Sequence, residues 1–300
     1  MARKKIWLAT QAEYVVALAL VNGLRYLPLP LAQAAAETAT GLLDTVLPKL
    51  RRVARTNLGF AYPGLTEPQR EHMIDGVFRS IARLLVALAK FPQLDRNNIH
   101  RWIEYRGLEH YLAAKQRGRG VLVATAHLGN WELSAFAHAL LTEPMNVMVR
   151  PLDNSRIDRL VETRRTLSGN HLIFKWDGAR SVLRALRNNE AVGILIDQNT
   201  AASEGVFVNF FGKQACANVG FVRLACHAEA PVIPGFATWD EARGRYILSF
   251  YPTIEMTGDE AADTQRVHSA IEAIIRQHPD QWMWIHRRWK TRPAGEDALY

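Results

Sequence analysis

From residue 101 onward the chain alternates short apolar runs with stretches of helical periodicity, and that alternation restricts the fold more than anything else in it. The runs "WIEYR", "GVLVATA", "NVMV", "LIF", "AVGILI", "VIPGFA" and "YILSFY" have the length and composition of buried strands. Helical spacing predicts helices over about 131–142, 154–168, 178–188, 217–229 and 259–278. Strands separated by helices pair mostly in parallel, because a parallel neighbour needs a long crossover and both faces are then covered. The expected fold is therefore three-layer α/β/α with a mixed, largely parallel central sheet.

The first hundred residues read as helices. Thr66 with Gln69 resembles a capping box ahead of a helix over 67–90, "VFRSIARLLVALAKF" repeats apolar residues at helical spacing, and Pro92 closes it. No internal repeat, low-complexity tract or long linker divides the chain. Residues 1–300 are expected to form a single unit, with a helical part over about 1–100 and an α/β part over about 101–300.

The N-terminus imitates a signal peptide, "MARKK" before an apolar stretch, but Glu13 interrupts the stretch and no small-residue cleavage site follows directly. The uncharged run from Val15 to Leu24 is also far below the roughly 20 residues that cross a bilayer, and Arg25 ends it. Residues 6–50 nevertheless stay mostly apolar, with "ARKK" before and "KLRR" after. Two readings stand: a buried N-terminal helix pair, or an interfacial anchor with its cations set against anionic headgroups. A formal net charge of +8 favours an acidic partner, whether anionic lipid, nucleic acid or an acidic protein. Nucleic acid fits poorly, since the basic residues are not interleaved with aromatics and no finger or helix-turn-helix spacing occurs. Cys216 and Cys226 are the only cysteines, without paired Cys/His spacing, which excludes a structural zinc site and reads as two free thiols in a reducing compartment.

Chemistry concentrates in "ATAHLGNWELSAF". The strand "GVLVATA" ends at His127, which puts the imidazole at the carboxyl edge of the sheet, where open α/β folds bind ligands. Glu132 follows five residues later; on one continuous helix the two side chains would lie about 140° apart and would not meet. They can meet if the helix begins between them, and Gly129 and Asn130 supply the tight turn and the N-cap. A carboxylate on one ring nitrogen fixes the tautomer and raises the basicity of the other, leaving an oriented general base. Amides at the helix start could stabilise an oxyanion. No G-x-S-x-G nucleophile elbow is present.

The string "ATAHLGNWE" closely resembles the H-x4-E motif of the bacterial lipid A late acyltransferases, the lauroyl/myristoyl family. Further blocks agree in order over nearly the whole chain: "RRVARTNLGFAYP", "VMVRPLDNSRIDRLVETRRTLSGN", "GILIDQNT", "GVFVNFFGK", "LACHAEAPVIPGF" and "PDQWMWIHRRWKTRP". The resemblance implies transfer of a fatty acyl group from acyl carrier protein or coenzyme A thioester to a hydroxyl of a lipid A precursor or related glycolipid. No cofactor and no covalent acyl-enzyme are implied. His127 would be the base and Glu132 its orienting partner. The family's downstream arginine falls on Arg164 or Arg165, with the spacing to Gly169 favouring Arg165, and its aspartate falls on Asp197 after "AVGILI". With Asn130, these are the expected substrate-binding residues. The implied location is the cytoplasmic face of the bacterial inner membrane, monotopic or peripheral. Other acceptors in the same chemical class are a different glycolipid or a lysophospholipid; a non-catalytic lipid-binding relative and slow thioester hydrolysis are the remaining alternatives.

Two departures fall in the segment expected to shape the pocket: Asn209, where many relatives carry proline, and Asn218, where a threonine-type residue is common. In "HRRWKTRP", His286, Arg287, Arg288, Lys290 and Arg292 read as a solvated basic face, with a structural or headgroup-facing role the favoured alternative under the resemblance. Trp282 and Trp284 read as core, and His138 as a packed or capping residue.

Overall fold

The computed structural model describes residues 2–174 and 178–300, and side chains from Thr10 onward. The cations of "MARKK" thus lie outside the described side chains. Four helices lead the chain: α1 (Ala2–Tyr26), α2 (Leu29–Val46), α3 (Pro48–Ala61) and α4 (Glu67–Lys90). Helix α4 starts where the capping pattern predicts, with the Gln69 side chain accepting from the Thr66 amide at 2.9 Å.

A seven-stranded sheet follows. Its strands are β1 (Ile103–Arg106), β2 (Val121–Thr125), β3 (Met145–Val149), β4 (His171–Phe174), β5 (Ala191–Leu195), β8 (Val232–Asp240) and β9 (Arg245–Phe250). Their spatial order is β1-β9-β8-β2-β5-β3-β4, and only the β8–β9 contact is antiparallel. All seven sequence-predicted strands are present, and the mixed, mostly parallel sheet agrees with the expectation. Helices α5 (Leu108–Lys115), α6 (Trp131–Leu141), α7 (Ser155–Thr166), α8 (Gly178–Arg187), α9 (Gly220–Ala228) and α10 (Glu260–Gln277) complete the layers. The hairpin β6 (Gly205–Phe210) and β7 (Lys213–Asn218) forms a separate antiparallel pair, not predicted as strands.

Period-two alternation along β2 shows how the sheet is covered. Val121 and Val123 pack with Tyr111 of α5 and Leu133 and Phe136 of α6, whereas Leu122 and Ala124 pack with Val182 of α8 and Phe221 of α9. Ala54, Leu58 and Ile74 of the leading helices join the second of these clusters. Trp282 and Trp284 are buried in it as well. The basic run near the C-terminus divides: Arg287 and Lys290 are exposed, but Arg288 and Trp289 are fully buried. The Arg288 guanidinium donates to the Cys216 carbonyl at 2.6 Å and lies over the Phe210 ring.

Among the described residues no helix is long and apolar enough to cross a membrane. Helices α1 and α2 nonetheless expose Val15, Val16, Leu29, Leu31, Leu42 and Val46.

Candidate active site

Sheet register places the two groups at the centre of the site. Parallel pairing sets Thr125 at the end of β2 beside Leu195 at the end of β5. Two residues further along each chain come His127 and Asp197, leaving adjacent strands at the same edge. Asp197 Oδ1 lies 2.8 Å from His127 Nδ1, while Oδ2 accepts from the His127 amide at 2.9 Å and from Trp282 Nε1 at 2.7 Å. Burial alone would raise the Asp197 pKa, but the His127 charge and these hydrogen bonds outweigh it and hold the carboxyl well below the usual range. A carboxylate on Nδ1 keeps the ring proton there and leaves Nε2 as acceptor. Nε2 faces the cavity, 3.3 Å from the Gln198 amide nitrogen, and Trp131 packs edge-on against the ring.

The segment after His127 is fixed by three backbone hydrogen bonds. Met283 donates to the His127 carbonyl, Gly129 to Gln281 and Asn130 to Ala237. Gly129 has φ +61°, and a Cβ there would sit 2.1 Å from the Ala237 carbonyl oxygen, so the turn admits only glycine. Asn130 is fully buried, and its Oδ1 caps α6 by accepting from Leu133 at 2.9 Å.

The structure separates the expected site residues. Glu132 bonds Arg165 rather than His127. As the second residue of α6 it turns toward α7, where Arg165 offers a planar fork, and both its oxygens bond Arg165 at 2.8 and 2.5 Å. Asp197 bonds His127 instead, and it is only 2% exposed. Asn130 is likewise buried, as the cap of α6. Arg164 points away from the cavity: its Nη1 donates to the Leu88 and Ala89 carbonyls at 3.2 and 2.6 Å, fastening α7 to the C-terminal end of α4. Arg165 lines the cavity with Glu132, the two side chains 18% and 9% exposed.

The cavity has a volume of about 730 Å³. Arg150, Leu152 and Asp153 form an exposed rim, and His127, Glu132 and Arg165 stand among its polar lining. Its buried wall is apolar, with Val123, Met145 and Ile194. The register aligns Val123 and Val147 on either side of Gly193, so the side chain missing at Gly193 opens space between the sheet and α6. Of the two departures, Asn218 lines the cavity. Asn209 does not; its backbone is held by Gln265 on α10.

Sequence reasoning also missed Trp282, Gln198 and His286. Trp282 reaches Asp197 from a segment some 85 residues away in the chain, so no local pattern could reveal it. Gln198 is adjacent to the aspartate in "DQNT" and could have been found there. His286 accepts from the Asn199 amide, and burial pushes its imidazole down to about 4, keeping it neutral beside the site.

His127, bonded by a buried carboxylate, opens onto a cavity whose lining is part polar and part apolar, as suits a ligand with both kinds of surface. The chain belongs to the bacterial lipid A biosynthesis acyltransferase family, whose model matches residues 2–291, and it is an acyltransferase. It is 30% identical over 257 residues to the lipid A biosynthesis palmitoleoyltransferase of Escherichia coli, covering 85% of this chain and 83% of the relative. To a lipid A biosynthesis acyltransferase of Haemophilus influenzae it is 29% identical over 251 residues, 83% of this chain and 78% of the relative. To the lipid A biosynthesis lauroyltransferase of Escherichia coli it is 28% identical over 298 residues, 98% of this chain and 92% of the relative.

Proposed function

We propose that the enzyme transfers a fatty acyl group from an acyl-carrier-protein or coenzyme A thioester to a hydroxyl of a lipid A precursor, with His127 as general base and Asp197 as its orienting partner. The observation that carries this reading is the Asp197–His127 bond beside a cavity whose buried wall is apolar. Nε2 takes the proton of the acceptor hydroxyl as its oxygen attacks the thioester carbonyl. The C–S bond then breaks and the imidazolium returns the proton to the departing thiolate, giving ester and thiol. The amides of Gly129 and Asn130 are already committed, and Leu133 donates to the cap. Those of Trp131 and Glu132, which helical geometry leaves without an acceptor, are the donors for the oxyanion. The acyl chain lies along Val123, Gly193 and Met145. Arg165, held by Glu132, meets the polar part of a substrate.

The apolar side chains exposed on α1 and α2 support seating on a membrane surface, monotopic or peripheral; the cytoplasmic face of the inner membrane is what the family resemblance implies. The test is acyl transfer from labelled acyl-carrier-protein thioester, with acyl-coenzyme A in parallel, to a tetra-acylated lipid A precursor in detergent. His127→Ala, with unchanged thermal unfolding, is expected to lose transfer by about 10³-fold or more. Transfer near the wild-type rate would remove His127 as base. A wild type inactive with both donors would remove the acceptor.

A further inference from the structure

A second cavity, of about 550 Å³, lies in the groove between α1 and α7, lined by Tyr14, Ser155, Arg156, Arg159, Leu160 and Thr163. Positions 156, 159, 160 and 163 share one face of α7. The carboxylates of the same helix look elsewhere: Asp158 accepts from the Leu152 amide, and Asp158 and Glu162 both act electrostatically on Arg165. Among the described residues no carboxylate lies within salt-bridge distance of Arg156 or Arg159. Both are exposed, one helical turn apart, with about 4.5 Å of rise between them. Arg156 is stacked over the Tyr14 ring at 5.4 Å, which holds its planar fork in place. The helix N-terminus itself is not the donor set, because Asn154 Oδ1 already accepts from the Arg156 and Ile157 amides.

Two further contacts locate the groove. Tyr14 lies on α1, the helix that also exposes Val15 and Val16, 60% and 67%. Asn154 Nδ2 donates to the Thr10 carbonyl and to Glu13, tying α1 to the segment whose preceding residues, Arg150–Asp153, form the cavity rim. An amphipathic element of this kind puts its apolar residues at the acyl boundary and its guanidinium groups at the level of the phosphates.

We infer that the groove between α1 and α7 binds the phosphate of an anionic phospholipid headgroup through Arg156 and Arg159, fixing the cavity mouth against the bilayer. This rests on the membrane seating proposed above and adds to it a defined site. Bidentate guanidinium contacts suit a phosphate diester, whereas a neutral headgroup offers no matching charge.

The test is sedimentation of the full-length protein with sucrose-loaded vesicles of phosphatidylcholine alone and of phosphatidylcholine with phosphatidylglycerol. Wild type is expected to bind the anionic vesicles more tightly. The R156Q/R159Q double variant should lose about 30-fold of that affinity, from roughly fivefold per surface cation, while keeping its binding to neutral vesicles. R184Q/R187Q removes the same charge from exposed positions of α8 and should bind like wild type. The inference is overturned if R156Q/R159Q binds anionic vesicles as wild type does, if R184Q/R187Q loses as much, or if free glycerol phosphate at millimolar concentration displaces the protein, which would make the groove a soluble phosphate-ester site. V15S/V16S tests the seating separately and should weaken binding to both vesicle types. A wild type that binds neither type overturns the seating and the inference together, while one that binds both equally overturns only the inference.

Discussion

Asp197→Asn is the perturbation that most sharply separates this site from the alternative in which Glu132 orients the base. The asparagine amide has one oxygen and one NH₂, and the structure dictates which goes where. Oδ2 holds two donors, the His127 amide and Trp282 Nε1, whereas Oδ1 meets only His127 Nδ1. The amide oxygen therefore takes the Oδ2 position, and its NH₂ faces Nδ1. A donor facing Nδ1 forces that nitrogen to accept, which moves the ring proton to Nε2 and removes the base. In serine hydrolases the same carboxylate-to-amide exchange costs about 10⁴ in kcat for this reason, and a loss of about 10³ to 10⁴ is expected here. The assay is acyl transfer together with ¹⁵N spectra of histidine-labelled protein. His127 should be Nδ1-protonated in wild type and in Glu132→Gln, and Nε2-protonated in Asp197→Asn. A folded Asp197→Asn enzyme within tenfold of wild type, or a tautomer change in Glu132→Gln instead, would refute the assignment. Stability has a matching pH signature. The native pKa of Asp197 is depressed, so its stabilising contribution is present above the unfolded value of about 4 and is lost as pH falls through the native value. The stability gap between wild type and Asp197→Asn should therefore close in acid, which urea unfolding at stepped pH would show.

Four other substitutions follow from the geometry. Arg164→Ala should cost about 2–3 kcal/mol through the two lost carbonyl contacts at the end of α4, whereas Arg165→Ala should chiefly lower transfer; urea unfolding and the transfer assay together separate the two. Gly129→Ala should destabilise by about 2–3 kcal/mol, because its Cβ meets the Ala237 carbonyl and its φ is positive; a wild-type melting temperature would contradict the turn as described. Gly193→Leu should fill the space between the sheet and α6 and shift donor preference toward shorter chains, by about fourfold per methylene excluded, read from kcat/KM across a thioester series.

The strands and long helices were legible because a sheet buried on both faces must be written as apolar runs. The β6–β7 hairpin was not, for a reason visible in its turn: Phe211 and Gly212 both have positive φ, and phenylalanine replaces the Asn or Asp that normally announces such a turn. The site divides in the same way. His127 and the N-cap at Asn130 are local features, readable from a strand ending against a helix start. The partner of His127 is not local. Sequence spacing suggested Glu132, five residues on, because a turn could bring it back. Register decides otherwise: β2 and β5 are hydrogen-bonded neighbours, and equal advances beyond Thr125 and Leu195 deliver His127 and Asp197 side by side. Glu132, in the first turn of α6, meets the fork of Arg165, and both its oxygens are turned toward that side chain. A strand-end histidine in a parallel sheet should accordingly be paired first with an acidic residue at the end of another strand. Only after that does a carboxylate on the helix that follows it become the better candidate.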